Sequence, residues 1–84
     1  SDLGGYSVRK RLIAARKAAG LTQKQMAEKL GFKSESHYCM IENGKRGVSV
    51  GTAIKLSRIL KRTVEELFYA ELVNESETRE VMNL

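Results

Sequence analysis

His37 and Cys39 carry the most versatile side-chain chemistry in the sequence, and each is the sole residue of its kind among 84. An imidazole and a thiol can ligate a metal, form a nucleophile–base pair or answer to redox conditions. Two positions apart on a helix they project from different faces, and no further Cys or His completes a four-ligand set. A lone thiol in mid-helix also has no neighbouring feature that marks it as a redox switch. The chain offers no nucleophile–base–orienter set, no phosphate-cradling loop and no paired carboxylates in a cleft. The expectation is a protein that is not an enzyme, with no metal, no cofactor and no small-molecule ligand evident.

Abundant cationic side chains are the other chemical resource. Fifteen Lys and Arg against ten Asp and Glu give a net charge of +5. Residues 1–47 carry +6, residues 48–69 carry +2 and residues 70–84 carry −3. A basic N-terminal half with an acidic end suggests one surface for a polyanion and another segment directed elsewhere. Charge alone is weak support, because many soluble domains are basic without binding nucleic acid, so position has to decide.

The length suits one domain with a modest core. No stretch of about twenty apolar residues is present to span a membrane, and no basic-then-apolar leader opens the chain. A single cysteine excludes an internal disulfide and suits a reducing cytoplasm. Proline is absent, while Ala, Leu, Lys, Glu and Arg are plentiful, which favours an all-α fold.

Five helices are expected to position these residues. Residues 1–6 read as a flexible lead-in. Helix one is predicted over about 7–19, with Val8, Leu12, Ala15 and Ala19 as its apolar stripe and Arg9, Lys10, Arg11, Arg16 and Lys17 on other faces. Gly20 supplies the left-handed residue that ends it. Thr22 and Gln25 have capping-box spacing at the start of helix two, which buries Met26, Ala27 and Leu30 and ends at Gly31. Ser34 caps helix three, where Tyr38 and Ile41 point inward, and Asn43-Gly44 closes it. Lys45-Arg46-Gly47 is a basic loop. Helix four follows Ser49 to about Leu60, its inner face traced by Val50, Ala53, Ile54, Ser57 and Leu60. Thr63 and Glu66 repeat the capping-box pattern ahead of helix five, anchored by Val64, Leu67 and Phe68. The domain is expected over 7–69, with 70–84 an acidic tail that can serve as a dimerisation arm.

Gly20 to Arg46 is the informative unit: two short helices joined by a glycine-containing turn, the second running into a basic loop. A helix-turn-helix lays its first helix across the phosphate backbone and its second in the major groove. Leu21-Thr22-Gln23, Met26-Ala27-Glu28-Lys29-Leu30-Gly31 and Ile41-Glu42-Asn43-Gly44-Lys45-Arg46 resemble the XRE family of bacterial and phage regulators, which includes the lambdoid repressors and Cro proteins. The resemblance spans roughly residues 7–69. It implies a five-helix, lambda-repressor-like domain that binds double-stranded DNA at palindromic operators as a homodimer. The turn through Phe32-Lys33 is one residue longer than in the compact phage repressors. Gly47-Val48-Ser49 stands where the family often has Pro-Ser.

Carried across by resemblance, Gln23 matches a phosphate clamp at the start of helix two. Asn43, Lys45 and Arg46 match backbone-contacting loop positions, and Arg16 and Glu42 match an ion pair tying helix one to helix three. Glu35, Ser36 and Met40 match base-reading positions, with His37 beside them. Each also has a plainer reading. Glu35 can accept from cytosine N4 or simply favour the first turn of a helix as a carboxylate. Met40 can touch a thymine methyl or sit idle on the surface, and Ser36 can serve base or phosphate. His37 can bind phosphate, cap or be solvated. The functional expectation is a cytoplasmic transcriptional repressor. Its rivals are an antitoxin whose end also binds a toxin protein, and a protein-interaction module without DNA binding.

Overall fold

The computed structural model describes residues 8–72. Five helices and no strand occur among the described residues: α1 Lys10–Ala18, α2 Gln23–Leu30, α3 Glu35–Glu42, α4 Val50–Leu60 and α5 Val64–Leu72. The expected lead-in at 1–6 and all but the first three residues of the expected tail at 70–84 lie outside the described residues.

Local chemistry sets the boundaries. At α2, Gln25 N–H donates to Thr22 Oγ1 at 3.1 Å while Thr22 N–H donates to Gln25 Oε1 at 2.9 Å. The same reciprocal pair joins Thr63 and Glu66 at the start of α5, at 3.0 and 2.9 Å. Ser34 and Ser49 cap α3 and α4 by accepting from the backbone N–H groups of His37 and Thr52. Such caps satisfy donors that a helix start leaves without partners, at about 1 kcal/mol each.

The helix ends share one device. Leu21 N–H donates to Arg16 O, Phe32 N–H to Ala27 O, Lys45 N–H to Met40 O and Arg62 N–H to Ser57 O. Each bond reaches back five residues across one residue in the left-handed region, closing the last turn. At α1, α2 and α3 that residue is a glycine, and at α4 it is Lys61, with φ 57°.

The core lies where all five helices meet. Leu12, Met26, Tyr38 and Leu56 are completely buried, and Ile41 and Leu67 nearly so. Each such aliphatic side chain contributes about 1.5–3 kcal/mol by leaving water. The most extensive contact between helices joins α2 to α3, with α1 against α5 next.

Three expectations about faces need correction. Helix α1 starts at Lys10 rather than near residue 7, and Val8 and Ala19 are exposed rather than part of the stripe. Arg9, assigned to an outer face, is buried instead. Helix α4 turns Ala53, Leu56 and Leu60 inward, and leaves Val50 77% and Ile54 41% exposed. Two overlapping apolar stripes satisfy helical spacing in α4, and packing against α2 and α5 selects the one carrying Leu56.

Candidate nucleic-acid interface

Helix α3 is fixed from behind by a buried polar cluster. Arg16 Nε donates to Glu42 Oε2 at 2.5 Å, and Arg16 Nη2 to Glu42 Oε1 at 3.2 Å. Arg16 Nη1 donates to Leu21 O at 2.9 Å, and Gln23 Nε2 donates to Glu42 Oε1 at 2.8 Å. The side chain of Glu42 is 1% exposed and that of Arg16 is 11% exposed. The Arg16–Glu42 pair thus joins α1, the α1–α2 turn, the first residue of α2 and the last residue of α3. Fork-to-fork pairing of this kind fixes orientation as well as proximity.

The electrostatics follow from that arrangement. Burial pushes the Glu42 carboxyl up, but the hydrogen bonds from Arg16 and Gln23 and the charge of Arg16 outweigh it, leaving its pKa below the ordinary 4.5. The bond to Glu42 raises the pKa of Arg16 in turn. Burial, then proximity to Glu42, pushes the Tyr38 hydroxyl well above its usual value. That hydroxyl feels both members of the pair yet has no well-formed hydrogen bond among the described residues.

With Tyr38, Ile41 and Glu42 inward, the opposite face of α3 is presented to solvent. Glu35 and Ser36 are exposed at its first turn, Met40 is 39% exposed one turn later, and Asn43 is exposed at its end. Positions 36, 40 and 43 fall on one outward stripe. His37 is half-buried, its ring stacked on Phe32 with centroids 4.0 Å apart and planes 13° apart. Phe32 belongs to the turn between α2 and α3, so that turn supplies a platform for the histidine. Lys45 and Arg46 are exposed in the loop after α3. Gln23 is half-buried, with one amide N–H engaged by Glu42.

Sequence reasoning set one contributing residue aside and missed another. Cys39 is half-buried on the stripe, and Asn43 Nδ2 donates to its sulfur at 3.5 Å, so the thiol helps orient a loop-facing side chain. Helical spacing from Ser36 and Asn43 carries that signal. Arg9 is the larger omission. Its guanidinium donates to the carbonyls of Ile41 and Arg46 and to both oxygens of Glu71, which no local pattern announces. No cluster of potential metal ligands occurs among the described residues, and no described helix is long and apolar enough to cross a membrane.

A family model described as Helix-turn-helix matches residues 12–67. An uncharacterized HTH-type transcriptional regulator of Archaeoglobus fulgidus is 33% identical over 61 residues, which cover 73% of this chain and 86% of that protein. Among solved structures, the fold is similar to a chain of the SinR protein/SinI protein complex. The TM-score is 0.64 at 24% identity, covering 90% of this chain and 76% of that one, a likeness of fold alone.

Proposed function

Because this chain belongs to the helix-turn-helix family, among its XRE-like DNA-binding transcriptional regulators, we propose that it is a repressor that binds an inverted-repeat operator as a homodimer. The observation that carries the reading is the division of α3. Tyr38, Ile41 and Glu42 lock one face into the core, the opposite face bearing Ser36 and Met40 stands free, and Glu35 is exposed at the first turn.

In this reading α3 enters the major groove, and Glu35, Ser36, His37 and Met40 face base edges. Gln23, Asn43, Lys45 and Arg46 contact phosphates and set the register without reading sequence. Stacked on Phe32, His37 offers a ring edge in a fixed direction. Copies meet through residues 64–84, where Tyr69 and Leu72 of α5 are 42% and 53% exposed. The acidic residues beyond Leu72 then stay off the DNA as a tail, whereas Glu71 belongs to α5 and the folded domain. Repression follows by occlusion of polymerase on nucleoid DNA in the cytoplasm.

The test is a salt titration of binding to duplex DNA. Lys45→Ala and Arg46→Ala are expected to weaken binding to every sequence alike and to lower the slope of log affinity against log salt by about one unit each. Slopes identical to that of the unaltered protein would remove the loop from the interface.

A further inference from the structure

We propose that Arg9 is a positioning residue for the DNA-backbone loop, and that Glu71, at the far end of α5, sets its grip. The proposal rests on the DNA-binding reading above and adds to it a link between α5 and the loop.

Helix α3 ends with no basic residue in its own last turn. Its terminal carbonyls need donors, and a cation there is favourable. Arg9 supplies both from across the fold. Its backbone N–H donates to Glu42 O at 2.9 Å, and its Nη1 donates to Ile41 O at 2.6 Å and Arg46 O at 2.7 Å. One nitrogen therefore ties the last turn of α3 to the far end of the Asn43–Arg46 loop. The Arg9 side chain is 2% exposed, so the tie is shielded from water.

The other side of the same guanidinium is taken by Glu71. Arg9 Nε donates to Glu71 Oε2 at 2.5 Å and Nη2 to Oε1 at 3.0 Å. A guanidinium is a rigid planar fork, so holding Nε and Nη2 dictates where Nη1 points. Phe68 lies under the same group, 5.7 Å from its carbon to the ring centroid, and Arg11 stands 4.7 Å over the Tyr69 ring. Three contacts therefore bind the distal half of α5 to the residues that open α1. Helix α5 departs from helical geometry at Phe68 (φ −124°, ψ 30°), where this distal half begins. A displacement of that half opens the Glu71 clamp, lets the guanidinium turn and releases the Arg46 carbonyl. Lys45 and Arg46 then lose the backbone frame from which they reach phosphate.

Glu71→Gln separates this from plain electrostatics by sign. The substitution removes a negative charge, so long-range attraction alone predicts tighter DNA binding. A Gln offers a single acceptor oxygen and cannot hold both Nε and Nη2, so loss of positioning predicts weaker binding. Affinity for a fixed duplex at moderate salt, well below the melting temperature, is expected to fall about three- to tenfold. Amide exchange at Arg46 and Gly47 is expected to quicken. Arg9→Lys keeps the charge but not the fork, and should weaken binding at least as much. Leu60→Val destabilises the core without touching the loop, and is expected to leave affinity unchanged at that temperature. Unchanged or tighter binding by Glu71→Gln overturns the proposal even if Arg9→Lys fails to fold. Absence of duplex binding by the unaltered protein would instead overturn the DNA-binding reading itself.

Discussion

Glu42 is the residue on which the site turns, because it converts a polar helix end into a buried anchor for α1, α2 and α3. Removing one member of a buried pair leaves the other charge unpaired, at about 3–5 kcal/mol. Glu42→Ala is accordingly expected to lower the melting temperature by more than about 10 °C in a domain of this size. A melting point equal to that of the unaltered protein would mean that the pair is idle. The same carboxylate gives a pH signature. Its folded pKa lies below the ordinary 4.5, so its contribution is fully present above that value and fades as pH falls through the lower folded value. Stability should hold from neutrality to about pH 5 and decline below about pH 4, less steeply in Glu42→Gln. Tyr38 makes the opposite prediction: its buried hydroxyl lacks a well-formed hydrogen bond, so Tyr38→Phe is expected to be neutral or stabilising within about 1 kcal/mol. A larger loss in thermal unfolding would mean that the hydroxyl is satisfied by a buried water.

At the scale of elements, Lys61 is the conspicuous strain. It occupies the left-handed position that glycine fills after α1, α2 and α3, and a side chain there costs about 1 kcal/mol or more. Lys61→Gly is expected to raise stability by up to about 1 kcal/mol, the relief being partly offset by the greater freedom of an unfolded glycine. A clear fall in the denaturation midpoint would contradict that account. The helix boundaries, apart from the start of α1 where no side chain caps the helix, were legible in the sequence because their causes are local. Thr22-x-x-Gln25, Thr63-x-x-Glu66, Ser34, Ser49 and the glycines at 20, 31 and 44 act within one turn of themselves. Faces were less legible. Helix α4 carries Val50, Ala53, Ile54, Leu56, Ile59 and Leu60, and its own periodicity does not choose between stripes until α2 and α5 pack against one of them. Arg9 was illegible for a related reason: a charged residue among Lys10 and Arg11 reads as solvated until partners 32, 37 and 62 positions away enclose it.

Taken whole, the molecule separates a packed scaffold from an exposed helix face and loop. Leu12, Met26, Tyr38, Ile41 and Leu56 hold α3 from one side, leaving its exposed stripe and the Lys45-Arg46 loop facing outward together. The outward residues of α3 were assigned from a resemblance, and their exposure follows from burial of the alternating set, which periodicity could anticipate. The operator lies beyond the reach of either, because base preference depends on which polar groups meet across the groove. Selection of binding sites from a random duplex pool tests the central claim most directly, since it asks whether the free face of α3 reads sequence. The expected result is an enriched inverted repeat whose half-sites lie one helical turn, about 34 Å, apart. Recovery of sequences no different from the starting pool would contradict it.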